Sequence, residues 1–419
     1  MDWKVRLAEP GEVAQAVDLT AVVFGTGPVA TPDYKAQVEA ALEPDRTFVV
    51  TDGGAVVGTG GAFTYEMTLP GGTPVPLAAV TEVGVAPTHR RRGMLRAIMA
   101  ALVDQALDRG EAAAGLTASE ATIYRRFGYG VATRFHTLEV DPARTAELPE
   151  LAGDRPAGAG PGHTRLVPPA EAAGLLPAIW ERHWRRVPGE LSRNPGWWRS
   201  ANLDPEHERG GASARYVVVH EGADGAPDGY ATYRLKQDWS PQGGGHDLTV
   251  EEVAGADDQV EAALVRFLLD VDLVRTVRWT AAPVDLPLRW RLADSRAVRV
   301  TAERDHLWLR PLDVARCLAG RRYAGAGGLV LGVVDPDRPD LGGRFRLDAG
   351  ADGAAEVART DAEPDLEVMV ADLGAALLGG VSWATLRRVG LVDERRPGAV
   401  ARADALFRTE RAPFCATPF

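Results

Sequence analysis

The 419-residue chain holds only two cysteines, Cys317 and Cys415, and only three lysines, Lys4, Lys35 and Lys236. Two such thiols are too few for a disulfide framework, and neither sits in a CxxC or histidine-containing metal spacing, so no metal is expected. No apolar run approaches the roughly 20 residues of a membrane-spanning helix. The opening MDWKVRLAEPGEV has neither an apolar core region nor a small-residue cleavage site. These absences predict a cytoplasmic protein with no membrane partner. Net positive charge is also missing: the formal balance is -11, which disfavours nucleic acid as a partner and produces a field that attracts cationic amines. Acidity also serves plain solubility. Arginine, alanine and glycine abound where lysine is scarce, a bias that reflects a GC-rich genome, so an arginine cluster alone says little about phosphate.

Hydrophobic residues at 45% and charged residues at 25% describe an ordinary globular protein, and the length allows two to four domains. Residues 3–7 read as a strand, followed by helical spacing through Val13, Val17 and Ala21. Thr47 to Val50 and Ala55 to Tyr65 read as strands joined at Asp52-Gly53-Gly54, a hairpin signal. Leu77 to Val85 is a further strand, a helix follows Gly93 and ends near Gly110, and Leu116 to Ala118 resumes the sheet. Ala152 to Arg165, rich in Gly and Pro, is the clearest linker candidate. Beyond it come an aromatic region (Trp180, Trp184, Trp197, Trp198) that reads as packing and a second strand-then-helix unit, LTVEEVAGADDQVEAALVRFLLDVDL, without an arginine-rich loop. From about Asp305 the pattern is α+β.

The informative run is Thr81-Glu82-Val83-Gly84-Val85-Ala86-Pro87-Thr88-His89-Arg90-Arg91-Arg92-Gly93-Met94-Leu95-Arg96. A strand feeds a loop and then a helix whose first amides and dipole favour a pyrophosphate. Gly93 leaves room for close approach, and Arg90, Arg91, Arg92 and Arg96 add guanidinium groups able to bind two phosphate oxygens at once. The extended backbone at Val83, Gly84 and Val85 can pair with the amides of a pantetheine arm. Strand, proline, arginine cluster, glycine and apolar helix in this order resemble the acetyl-CoA motif of the GNAT superfamily.

Together with Ser119-Glu120-Ala121-Thr122-Ile123-Tyr124-Arg125-Arg126-Phe127-Gly128-Tyr129-Gly130, the motif resembles the Eis family of acetyltransferases. The resemblance implies an α/β (α+β) fold of tandem GNAT-like domains, with mixed sheets flanked by helices, plus a sterol-carrier-like C-terminal domain. The corresponding segments are 1–145, 146–300 and 301–419. It further implies acetyl-CoA as cosubstrate, an aminoglycoside-like or polyamine acceptor, and a homo-hexamer. Tyr124 takes the role of general acid, protonating the departing thiolate, and the terminal carboxylate of Phe419 that of general base. Without the resemblance, Tyr124 reads equally as packing, and a chain end as a frayed terminus. Ser119 and Glu120 fall where the family contacts the cofactor; Ser119 can also cap the following helix. Aminoglycoside-modifying members carry an acid next to the chain end. Here Pro418 stands there, which leaves Glu66 and Glu82 as acids that could compensate. The C-terminal domain is read as delivering the Phe419 carboxylate rather than binding lipid. The rival readings are a non-catalytic ligand- or lipid-binding protein and a protein lysine acetyltransferase.

Overall fold

Strand-forming residues early in the chain and a single strand from near residue 310 build the first sheet. The structure, a computed structural model, describes residues 3–148, 162–240 and 243–419. In chain order the sheet uses β1 (Val5–Leu7), β2 (Thr47–Asp52), β3 (Ala55–Thr68), β4 (Pro74–Val85), β5 (Ala113–Thr117) and β6 (Gly130–Val131). A strand from far downstream, Leu307–Pro311, sits between β5 and β6 and runs antiparallel to both. β2 and β3 form the hairpin expected at Asp52-Gly53-Gly54, with both glycines at positive φ. Helices α1 (Val13–Phe24), α2 (Pro32–Ala41) and α3 (Met94–Asp108) accompany this sheet. α2 is not evident from hydrophobic spacing, and none of its residues is buried. Thr31, which accepts from the Tyr34 amide, and Pro32 at its first turn start it instead.

β4 and β5 are parallel and joined through α3, the connection a parallel pair requires. They pair only from Leu77 opposite Ala113 to Ala79 opposite Gly115. Beyond that point the two strands part, β4 continuing to Val85 and β5 to Thr117. Between Thr81 and Gly84, β4 takes three steps against two on β3, and Glu82 adopts φ 53. An extra residue in the ladder bends the strand away from regular pairing.

The sequence reads as three segments, 1–145, 146–300 and 301–419; by contact the chain forms two compact units. One compact unit comprises Met1–Thr133, Val187–Ser200 and Asp305–Phe419; the other comprises Arg134–Arg186 and Ala201–Arg304. Strand Arg134–Val140 therefore belongs to the second sheet, where Leu138 and Val140 enter its core. Leu307 and Leu309, both fully buried, enter the core of the first unit. Of the stretch read as a linker, Ala152 to Arg165, the last three residues begin the strand His163–Val167 of the second sheet; residues 152–161 lie outside the described residues.

The second unit is a seven-stranded sheet with helices Pro169–Trp184 and Asp258–Leu269. Its strand His246–Gly255 leads to helix Asp258–Leu269, repeating the order of β4 and α3. The two helix starts differ chemically. Asp257 accepts from the amides of Gln259 and Val260, so a carboxylate of the chain already fills that N-terminus. α3 begins at Gly93 with no side-chain cap.

In the first unit, residues beyond 311 add a five-stranded sheet with helices Val370–Leu377, Trp383–Arg388 and Ala399–Phe407. One hydrophobic cluster runs from Leu77 and Leu309 to Leu331, Leu373 and Trp383, all fully buried. Gly374 allows this: a Cβ there would lie 2.1 Å from the Leu309 carbonyl oxygen. No helix among the described residues is long and apolar enough to cross a membrane.

Candidate active site

The parting of β4 from β5 leaves a cleft of about 300 Å³, at the low end of small-molecule sites. Phe24 at the end of α1, Val80 to Val83 of β4, Leu116 to Ser119, Tyr124 and Phe419 line it. Several residues singled out from the sequence therefore meet here: Val83, Ser119, Tyr124 and Phe419. Glu82 also faces it, whereas Glu66 is exposed on β3 and does not line the cleft.

Tyr124 ends the short helix Ala121–Tyr124, and Arg125–Phe127 continues it as a 3-10 turn closed by Gly128 at φ 82. Two arginine contacts hold this turn from below. Arg125 donates to both oxygens of the buried Asp372 at 2.6 and 2.8 Å, and Arg310 donates to the Phe127 carbonyl while pairing with buried Asp335 at 2.7 Å. The Tyr124 ring meets Tyr129 edge to face at 6.4 Å. Burial, with the charge of Glu120 adding to it, raises the Tyr124 pKa above the ordinary tyrosine value. The phenol consequently keeps its proton beyond the usual range. Glu120 is the helix N-cap residue but does not line the cleft, and no side chain caps this helix, so the capping alternative for Ser119 is not realised.

Phe419 reaches the cleft from the opposite end of the sequence. Its ring lies edge-on to Tyr65 at 6.2 Å, and Thr117 Oγ1 donates to its carboxylate oxygen at 3.4 Å. Glu82 is half-buried; Tyr34 Oη donates to it at 3.4 Å, and its pKa is raised by desolvation against the opposing hydrogen bonds of Thr20 and Tyr34.

The loop after β4 carries the arginine cluster. Arg90, Arg91, Arg92 and Arg96 are exposed, and no ion pair among the described residues occupies them; Arg92 donates only to the Thr88 carbonyl, at 3.2 Å. By contrast Arg46, Arg125, Arg234 and Arg310 are each committed to a carboxylate. Arg91 at φ 64 and Gly93 at φ 84 turn the chain into α3, whose uncapped first amides at Met94 and Leu95 open beside these guanidiniums. Uncapped amides, a left-handed glycine and uncommitted cations fit a diphosphate. Among the described residues no strand pairs β4 beyond Ala79 on its β5 side, so Val83 to Val85 offer backbone on that edge.

Residues 4–132 and 189–311 each match the model of the acetyltransferase (GNAT) domain, and residues 314–416 match that of the sterol carrier protein domain. The chain is 36% identical over 383 residues to the N-acetyltransferase Eis of Mycobacterium tuberculosis strain H37Ra, covering 87% of this chain and 89% of the relative. The chain belongs to the Eis family of GNAT N-acetyltransferases.

An N-acetyltransferase of Streptomyces avermitilis is 40% identical over 376 residues, 90% of each chain. The crystal structure of Eis1 from Mycobacterium abscessus superposes with a TM-score of 0.86 at 36% identity, each chain covered completely. As an Eis-family member the chain is an N-acetyltransferase with two GNAT domains and a sterol-carrier-like C-terminal domain. The capped helix at Asp257 and the open one at Gly93 give the two GNAT domains different chemistry at equivalent points in their strand–helix order.

Proposed function

We propose that this Eis-family enzyme acetylates primary amines of aminoglycoside-like polycations, with Tyr124 as general acid and the terminal carboxylate of Phe419 as general base. The observation that carries the reading is the single cleft lined by both residues, at the mouth of the parted β4 and β5. Arg90, Arg91, Arg92 and Arg96, with the amides of Gly93, Met94 and Leu95, would hold the phosphates of acetyl-CoA. Val83, Gly84 and Val85 would pair with its pantetheine arm, and the Ser119 hydroxyl would bind beside it. Glu120, beside Ser119, is part of the same proposed cofactor contact, and burial keeps the Tyr124 phenol protonated.

Acetyl-CoA, when bound, supplies an acetyl group activated as a thioester. The Phe419 carboxylate takes the proton from the amine that forms the new N–C bond, and Tyr124 gives its proton to the sulfur as the C–S bond breaks. The homo-hexamer and the cytoplasmic location implied by the family resemblance are part of the same reading.

Thiol release from acetyl-CoA, followed with a panel of aminoglycosides and polyamines, tests the proposal. Turnover with these amines and saturable CoA binding by calorimetry are expected. Lipid uptake without CoA binding would favour the non-catalytic reading, and acetylation confined to peptide lysines would favour a protein acetyltransferase.

Glu82 is proposed as the acid that meets the acceptor's cationic amines where Pro418 offers none. Glu82→Gln is expected to raise the acceptor KM about tenfold, on the order of 1.4 kcal/mol, with the acetyl-CoA KM unchanged. Because desolvation raises the Glu82 pKa, the wild-type acceptor KM should rise on acidification at a higher pH than an ordinary glutamate would dictate. An acceptor KM that is the same in both proteins across pH removes Glu82 from this role.

A further inference from the structure

A short excursion, residues 187–200, joins the first compact unit, and from residue 189 onward it lies within the second GNAT match. It carries a fully buried carboxylate that acetyl transfer as described above does not use. Glu190 Oε1 accepts from the amide of Leu191 at 3.0 Å, from the amide of Thr417 at 3.3 Å and from Thr417 Oγ1 at 2.8 Å, while Oε2 accepts from the amide of Ala416 at 2.7 Å. Arg193 Nε donates to the same Thr417 Oγ1 at 3.1 Å, and its guanidinium lies over the Trp197 ring at 3.9 Å. Trp197 Nε1 in turn donates to the Pro418 carbonyl at 3.0 Å. The Phe414 amide donates to the Pro188 carbonyl at 2.9 Å, tying the start of the tail to the same excursion.

This is an unusual density of bonds for a chain end. Termini fray unless tied down, and a carboxylate stripped of water is costly unless donors surround it. Burial pushes the Glu190 pKa up, against the opposing pull of Arg193 and the donors from Ala416, Leu191 and Thr417. The terminal oxygens lie two residues beyond Thr417, so Thr417 and the Pro418 carbonyl, each held by this excursion, restrict the reach of the carboxylate, which accepts from Thr117 Oγ1 at 3.4 Å.

We infer that Glu190 is a positioning residue for acetyl transfer: with Arg193, Thr417 and Trp197 it forms a latch that fixes the Phe419 carboxylate in the cleft. The inference rests on the reading of that carboxylate as general base. A displacement of about 1 Å can cost about 10²-fold in rate. Glu190→Gln keeps an acceptor oxygen but turns an amide NH₂ toward the Ala416 N–H, so its effect should fall between those of wild type and Glu190→Ala.

Two measurements on the full chain test this, with kanamycin as the acceptor probe. In the first, protein labelled with ¹³C at the phenylalanine carboxyl carbon reports the terminal carboxylate by NMR. Glu190→Ala and the near-isosteric Thr417→Val should both move that resonance to the position of an unstructured terminus, with the folded state verified by thermal melting. In the second, Glu190→Ala should lower kcat roughly 10- to 100-fold with the KM for acetyl-CoA unchanged, and should cost nothing further once Phe419 is deleted. An unmoved resonance in both variants, or losses that multiply in the combined variant, would overturn the latch. If deleting Phe419 alone leaves kcat unchanged, the general-base reading falls and the catalytic role of Glu190 falls with it. A costly deletion beside an active Glu190→Ala overturns only the latch.

Discussion

A protein extended by a few residues beyond Phe419 is expected to lose about 10²- to 10⁴-fold in kcat, the usual contribution of a positioned proton acceptor. The extension turns the terminal carboxylate into a neutral amide and pushes new atoms into a cleft of about 300 Å³. Neither change reaches the arginine cluster at the start of α3, so the KM for acetyl-CoA should hold within about twofold. The same extension at the amino terminus serves as control. Folding should be little affected, because Thr417 and Pro418 keep their partners Glu190, Arg193 and Trp197. Full turnover by the extended protein, measured as thiol release, would exclude the terminal carboxylate as base.

Tyr124→Phe is expected to lower kcat by about 10²- to 10⁴-fold while leaving the melting temperature and the acetyl-CoA KM close to those of wild type. The substitution removes only the hydroxyl. The ring still meets Tyr129, and Arg125 still pairs with Asp372 beneath the turn. The sign of the pH effect follows from burial, which disfavours the phenolate and so raises the pKa. An acid with a raised pKa stays loaded to higher pH, so the alkaline fall in kcat should lie above the ordinary tyrosine range, and the Phe variant should lack it. Unchanged turnover in the variant would remove Tyr124 from proton transfer to sulfur.

Much of the strand–loop–helix that ends in α3 was legible along the chain. The strand through Val83 and Val85, the turn at Gly93 and the apolar spacing of Ile98, Leu102 and Val103 lie within about 20 residues, and strand and helix periods are local signals. The pairing of Arg residues was not legible. The order of strand, proline, arginines and glycine pointed to the arginines of residues 90–96, although a composition rich in arginine weakened the cluster as a signal on its own. Only the folded chain separates them from Arg46, Arg125 and Arg310, which carboxylates far away in sequence neutralise. Glu82 and Glu66 were equal candidates as compensating acids, and the φ of 53 at Glu82, which arises from the mismatch of β4 against β3, carried no local signal.

The sequence by itself determined the local form of the strand–loop–helix, the hairpin at Asp52-Gly53-Gly54 and the turn around Tyr124, because each depends on residues that are neighbours along the backbone. Tertiary structure alone decided that Leu307–Pro311 enters the first sheet between β5 and β6, that Arg134–Val140 joins the second, and that Glu190 holds Thr417 from 227 positions away. The physical reason is that these arrangements follow from which sheet edge and which buried donors remain unmatched after the local elements form. Such vacancies exist only in the assembled core, where an unpaired strand edge or an uncompensated carboxylate becomes costly.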